Sequence, residues 1–277
     1  MNTVLHDSDS YVEIAEGIFW VGSADHIENL HCNVYLIVDG NEAVLIDSGS
    51  RGDFSAVMTK IMRTGTDPKR IIRLIYQHYD PDLCGNMPHM EALIHNDNLR
   101  ILSHKENNLY INYYSVHSRK DCIEEQGFFF DFSSGRRLVF IRTPYAHAPG
   151  SFMTYDTKTK VLFSSDLFSG YDVDWHLFVQ FGDACQYCDT EEVCPATDRR
   201  CLIHEILRFH KRTMTSEKAL RFALEQIAEL DISLIAPQHG SIIQAKPSQR
   251  IIINKLKKLR GIGIEHYLEE YAYEWIP

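Results

Sequence analysis

The sequence predicts an α/β fold in which two sheets stack face to face with helices outside, a four-layer αββα sandwich. Residues 33–38 (NVYLIV) and 43–47 (AVLID) are almost unbroken apolar runs, as expected of strands in a sheet covered on both faces. Strands, then helices, then strands and helices again follow one another along the chain, an order that suits two packed sheets. The scale agrees: 277 residues with 44% hydrophobic and 24% charged content are globular averages and supply a sizeable core.

Taken in order, residues 11–15 and 18–22 are short alternating runs and read as strands. The runs 33–38 and 43–47 are split by Asp39-Gly40-Asn41, a hairpin signal. In 53–63, Phe54, Val57, Met58 and Ile61 fall at helical spacing, and Gly65 ends the pattern. A buried strand follows at 70–76, then a loop, QHYDPDLCGN, broken by Pro81 and Gly85, and a short helix after Asn86. Residues 100–103 and 137–142 read as strands, and 152–155 with 161–165 form a second hairpin. Residues 201–212 and 217–230 are helical, the latter capped by Thr215 or Ser216. A strand at 233–237 precedes a closing helix from Ser248, whose Lys255, Lys257, Lys258 and Arg260 read as a solvated face. The expected organisation is one domain over 1–277, with a cysteine-rich insertion at about 182–201 and a helical closing segment at about 248–277.

Charge and cysteine usage narrow the classes. The formal charge of −10 argues against nucleic acid or anionic lipid as a partner held by bulk charge. No run approaches the roughly 18 apolar residues of a membrane span. The first residues carry acids without a basic-then-apolar pattern, so no secretory signal is read there. Seven cysteines, an odd number, favour a reducing compartment, and a cytoplasmic location is expected.

The residues able to carry chemistry stand just after predicted strands, where a rigid sheet can aim them into one cleft. His78, Asp80 and Asp82 follow the strand at 70–76, His147 follows 137–142, Asp166 follows 161–165 and His239 follows 233–237. Any one alone reads as a surface or hydrogen-bonded group. Together, three imidazoles and three carboxylates suffice for two metal ions if one carboxylate bridges, and Asp166 is the natural bridge because a carboxylate has two oxygens. Three converging carboxylates repel unless cations neutralise them, so convergence of these loops implies metal.

In their order, NVYLI, VLIDSG, HYDPDLCGN, HAPGS, SSDLF and PQHG resemble the metallo-β-lactamase superfamily over roughly residues 30–245. The resemblance implies an αββα sandwich with a dinuclear cleft along one edge, and Asp47 as a buried acid beside the site rather than a ligand. Zinc hydrolases of this superfamily carry His-x-His-x-Asp-His in the first loop, whereas this chain reads His78-x-Asp80-x-Asp82-Leu83. An acid at the second position resembles the flavodiiron branch, and oxygen donors favour iron or manganese over zinc. That branch implies one ion on His78, Asp80 and His147, the other on Asp82 and His239, with Asp166 between them. Leu83 replaces the motif's last histidine and cannot ligate, which leaves the second ion an open or water-filled position. The resemblance is to stand-alone oxygen-binding di-iron proteins. It implies two iron ions, no flavin in this chain, O2 or NO as the small ligand, and a separate electron-donor protein; a homodimer is compatible with it. Tyr79, Leu83 and Tyr145 flank the ligands and are expected to line the cleft.

A second signal is the spacing C-x2-C-x5-C-x6-C of Cys185, Cys188, Cys194 and Cys201. Four thiolates can hold zinc or an iron–sulfur cluster, but the spacing also fits a redox dithiol at the CxxC pair or plain reduced thiols. A cluster there could pass electrons to the di-iron cleft. Cys32, Cys84 and Cys122 are scattered and read as inert, and His26, His89, His104, His204 and His210 as surface or supporting groups. Three functions remain open: a di-iron protein that binds or reduces O2 or NO, a dinuclear zinc hydrolase of thioester, lactone or phosphoester bonds, and a silent sensor module.

Overall fold

The strands β1 (Val12–Ala15), β2 (Ile18–Trp20), β3 (Tyr35–Asp39), β4 (Glu42–Ile46), β5 (Ile71–Ile75), β6 (Arg100–Ser103) and β7 (Arg119–Cys122) lie side by side in chain order in the computed structural model. Residues 10–23, 30–114, 117–171 and 175–271 are described. The strands β1 to β4 are antiparallel neighbours, whereas β4 to β7 are parallel. Parallel neighbours need crossovers. These contain α1 (Phe54–Arg63), then α2 (Pro81–Cys84) with α3 (Met87–Ile94), then α4 (Lys105–Ile111).

The second sheet draws on β8 (Phe129–Asp131), β9 (Arg137–Arg142), β10 (Phe152–Asp156), β11 (Val161–Phe163) and β12 (Phe178–Val179). A separate hairpin, β13 (Val193–Cys194) with β14 (Arg199–Arg200), precedes α5 (Leu202–Thr213) and α6 (Glu217–Gln226). The strands β15 (Leu234–Ala236) and β16 (Ile242–Gln244) complete the sheet in the order β12-β16-β15-β11-β10-β9-β8, and α7 (Lys246–Lys258) and α8 (Ile264–Tyr271) follow.

Strand alternation explains the continuous apolar runs. On β3 and β4, Tyr35, Ile37, Val44 and Ile46 enter the core between the sheets, where Phe140, Phe152 and Phe163 meet them. Their neighbours Leu36, Ala43 and Leu45 pack outward against Val57, Met58 and Ile61 of α1 and Met87 and Met90 of α3. On the other side, Met153, Leu162, Ile235 and Ile243 meet Ile206, Leu220, Leu224 and Ile252. Three apolar layers separate four structural ones, as expected for an αββα sandwich.

Several local expectations shift. The strands β7, β8, β12 and β16 and the helix α4 were not legible, and α6 ends at Gln226 rather than 230. Ser216, not Thr215, caps α6, its hydroxyl accepting the Ala219 N–H at 3.2 Å. The closing helix begins at Lys246, and α8 follows it. Residues 272–277 of the expected closing segment, the first nine residues and His26 lie outside the described residues. Lys255 is not simply part of a solvated face: its ammonium donates to the Cys188 carbonyl. Among the described residues, no helix is long and apolar enough to cross a membrane.

Candidate metal centre

The four loops that carry histidine or aspartate after β5, β9, β11 and β15 meet at one edge of the sandwich, and buried polar groups tie them together. The Asn33 side chain donates to the carbonyls of Pro237 (3.0 Å) and Gly240 (2.9 Å), and the Tyr35 hydroxyl donates to that of Pro237 at 2.7 Å. The Asn107 amide donates to the carbonyl of Gly150 at 2.9 Å. A Cβ on Gly150 would collide with Asn107, so glycine permits this approach. These side chains satisfy backbone carbonyls that the loops would otherwise bury without partners.

All six donors expected from the sequence converge. His147 Nε2 lies 2.8 Å from Asp166 Oδ2 and 3.3 Å from Asp80 Oδ2. His78 Nε2 lies 3.6 Å from Asp166 Oδ2 and 3.9 Å from Asp80 Oδ2. The other Asp166 oxygen, Oδ1, is 3.6 Å from His239 Nε2, which in turn is 3.2 Å from Asp82 Oδ2. Asp166 therefore faces His78, His147 and Asp80 with one oxygen, and His239 and Asp82 with the other. Among the described residues, His78, His147 and Asp166 form the one group of three donors whose ligand atoms all lie within 4.8 Å of one another.

The opposite ring nitrogens are held from behind. His239 Nδ1 sits 2.6 Å from the His31 carbonyl, and His78 Nδ1 is 3.1 Å from Ser165 Oγ. A ring N–H given to a carbonyl leaves the other nitrogen as the lone-pair donor, and this fixes both tautomer and direction for His239. Behind Asp166, His210 is fully buried and accepts the Phe168 N–H on Nε2 at 3.0 Å, and Ser169 Oγ accepts the His239 N–H at 3.0 Å. Burial pushes His210 down to about 4, so it stands neutral with Nε2 free to accept. Of the two readings the sequence left open for it, surface or supporting group, the structure gives the second, in the core.

The charges show what the cluster lacks. Burial would raise the Asp166 carboxyl, yet His78, His147 and His239 hold it well below the usual range. Burial likewise opposes charge on His147 and His239, but Asp166 and Asp80 carry the first up to about 10, and Asp82 with Asp166 carries the second up to about 9. Burial wins at His78 and lowers it. Asp166 is 1% exposed and its Oδ1 has no hydrogen-bond partner. In the metal-free chain the charged imidazoles alone balance this carboxylate, a role that metal ions bound by the same groups would take over. The donor set thus fits a pair of metal ions, with oxygen and nitrogen ligands and no thiolate.

Asp47, equally buried, behaves in the opposite sense: burial pushes it well up, and its Oδ1 accepts the Gln77 N–H at 3.3 Å. Of the three residues expected to line the cleft, Leu83 does not. Leu83 is 0% exposed within the apolar layer under α1 and α3, so it is a packing residue; its carbonyl accepts from both Ser48 N–H and Oγ. Tyr145 is 54% exposed with its backbone carbonyl taken by Thr215, and Tyr79 stacks on Tyr110 at 4.3 Å. The mouth opens at Asp80 and Asp82, whose side chains are 32% and 38% exposed. His31, Ser165 and His210, which orient or anchor the donors, carried no ligand signal in the sequence. Cys84 is buried in the apolar layer, as expected.

A family model described as ODP family beta lactamase matches residues 30–240. An anaerobic nitric oxide reductase flavorubredoxin of Aeromonas hydrophila is 27% identical over 94% of this chain and 50% of its own length. An uncharacterised protein of Methanocaldococcus jannaschii is 28% identical over 83% of this chain and 56% of its own. The chain thus spans about half the length of the curated relatives it matches. Among solved structures, a peroxy di-iron form of the chemotaxis sensor ODP superposes with a TM-score of 0.73 at 25% identity, covering 94% of this chain and 98% of that one. The rubredoxin:oxygen oxidoreductase of Desulfovibrio gigas gives a TM-score of 0.73 at 18% identity over 90% of this chain and 61% of that one, a likeness of fold alone.

Proposed function

Because the chain belongs to the ODP family of β-lactamase-like proteins, a domain of metallo-β-lactamase and flavodiiron type, we propose that its six donors hold two iron ions at which O2 or NO binds. One observation carries the reading. Asp166, buried and ionised, presents separate oxygens to two donor groups, and its Oδ1 is otherwise unpartnered. His78, Asp80 and His147 would hold one ion and Asp82 and His239 the other, with Asp166 shared. Bound iron would supply reversible electron donation to a small diatomic ligand.

The chain's own residues supply orientation, asymmetry and dryness. His31 and Ser165 aim His239 and His78 from behind. Leu83, buried in the apolar layer, adds no donor, so the Asp82–His239 position has fewer protein ligands than its neighbour and more room for a diatomic. His78, Asp166 and His239 are each under 5% exposed, which keeps water from the inner side of the centre. Asp80 supports iron over zinc, because a carboxylate stands where the zinc hydrolases place an imidazole. In this reading the chain is one metallo-β-lactamase-like unit carrying the cysteine-rich segment as an insertion. As a reductase it would draw electrons from a separate donor protein; as a sensor it would not turn over.

The test is metal analysis of protein purified without oxygen, followed by exposure to O2 or NO. Close to two irons per chain in the cleft and a visible spectrum that changes with either gas, lost in His147→Ala, are expected. Sustained O2 or NO consumption with a reductant identifies a reductase, and a single stoichiometric change identifies a sensor. A zinc-filled cleft that ignores both gases and hydrolyses a thioester or lactone would overturn the proposal.

A further inference from the structure

The segment between β12 and α5 plays no part in the cleft. From Gly182 to Arg200 every side chain is exposed except Cys185, Cys188, Thr190 and Cys194, and Cys201 at the start of α5 is buried. Regular structure here amounts to one short turn at Asp183–Gln186 and the two-residue strands β13 and β14. A lobe of this size without an apolar centre cannot be held by burial alone and needs a staple. What turns inward is sulfur.

The backbone is arranged around those sulfurs. Cys194 Sγ is approached by the N–H groups of Ala196 and Thr197 and by the Thr197 hydroxyl, and together they lower its thiol. Cys201 Sγ meets the N–H groups of Ile203 and His204, the same pair of offsets, and Cys185 Sγ the backbone of Gly182. Hydrogen bonds of this kind favour thiolate over thiol. Against them, burial pushes Cys185 up, followed by Cys188, Cys201 and Cys194; burial also raises Cys201, with Cys194 and Cys188 adding to it. Cys185, Cys194 and Cys201 thus stand within electrostatic reach of one another and of Cys188, whose thiol donates to the Cys185 carbonyl at 3.4 Å. All are free thiols. A divalent cation among them removes the repulsion and supplies the missing centre.

We propose that Cys185, Cys188, Cys194 and Cys201 close as four thiolates on one divalent metal ion, zinc or ferrous iron, in a closed site separate from the histidine–aspartate cleft. No three of the sulfurs lie within 4.8 Å of one another, so binding includes an inward rotation of cysteine side chains. The lobe is otherwise placed to receive the ion: Lys255 of α7 donates to the Cys188 carbonyl, and Cys185 and Cys194 pack on the apolar layer that contains Cys201. The ion closes four positions with sulfur, leaves none for substrate, and fixes the lobe against α5 and α7. The proposal stands independently of what the cleft binds.

The full chain, produced with zinc and iron both supplied and purified without oxygen, tests it. Asp166→Asn should keep one metal equivalent that Cys188→Ser loses; zinc would leave this equivalent colourless, and iron would give it sulfur-to-metal absorption. Loss of all metal in Asp166→Asn, or none in Cys188→Ser, overturns the proposal. A second measurement on the unmutated chain holds even where the serine variant fails to fold. An organomercurial should release one ion as four thiols are consumed, and Cys185, Cys188 and Cys194 should resist a disulfide reagent until then. Prompt reaction of those thiols without release of metal, or a mass showing them paired as disulfides, overturns it.

Discussion

Replacing Asp166 by asparagine keeps the shape of the side chain and removes the charge that both metal positions share. Its size can be read from His147, which the acids carry from 6.5 to about 10 against burial. At 1.36 kcal/mol per unit this is on the order of 5 kcal/mol for one positive charge on Nε2. Asp166 lies 2.8 Å from that nitrogen and Asp80 3.3 Å, so Asp166 carries at least half. That is roughly 2–3 kcal/mol for a single charge and about twice that for a divalent ion, or between three and four decades in Kd. Metal retained after dialysis against a graded series of chelators, measured on protein whose circular dichroism is unchanged, reads the loss. Asp47→Asn is the internal contrast. It is as buried as Asp166, but burial pushes its carboxyl up, so the amide replaces a group already inclined to be neutral and metal should stay. Both ions held at wild-type affinity in Asp166→Asn, or Asp47→Asn emptying the cleft as completely, would refute the electrostatic argument.

Other perturbations separate packing from ligation. Leu83→Ala should cost about 2–5 kcal/mol by urea unfolding, as a large-to-small change in a filled core, with the metal count unaltered. Asp156→Asn removes the nearer of the two acids that face Arg136, which grips Asp156 through two bonds of 2.8 and 2.9 Å in the interior and has Asp39 at 3.7 Å, and should cost about 3 kcal/mol. Arg136 holds Asp156 below its ordinary value despite burial, so this stabilisation is present above the unfolded value and disappears as pH falls through the folded one. The difference between wild type and variant should therefore shrink in acid. Metal uptake at pH 7 should release about two protons per chain, from His147 and His239, whose metal-free values are about 10 and about 9. Their folded values exceed the unfolded one, so in the metal-free chain their stabilisation is complete below about pH 6.5 and is lost as pH rises through 9 to 10. Calorimetry in buffers of different ionisation enthalpy counts the protons, and a count of zero would mean that the histidines are already neutral without metal.

The strands most plainly visible in the sequence are those that bury both faces, or that alternate cleanly over several residues as β9 does. The strands β3 and β4 serve two cores at once, so their runs are apolar throughout, and the turn at Gly40 separates them without ambiguity. The strands β7 and β8 escaped because neither has such a face: β7 reads RKDC and β8 FFD. Their pairing comes from neighbours already in place, with β6 receiving β7 in parallel and β9 receiving β8. The strand β12 holds two residues, too few for any alternation to register.

The same division runs through the metal centre. Its six donors were legible because each needs a particular side chain, and each follows a strand that aims it. The misplaced neighbour, Leu83, was assigned to the cleft by adjacency alone; a short helix at Pro81–Cys84 turns it into the core while Asp80 and Asp82 stay at the mouth. The supports behind the donors were invisible for a different reason. His31 acts on His239 through its carbonyl, which any residue could supply, so its identity leaves no trace in the chain. His210 does act through its ring, but its partner is the backbone of Phe168, 42 residues away, and a main-chain N–H has no spacing to match. Ligand sets are written in side chains and can be read before folding. Their orientation is written largely in the backbone, and it becomes readable only once the loops have met.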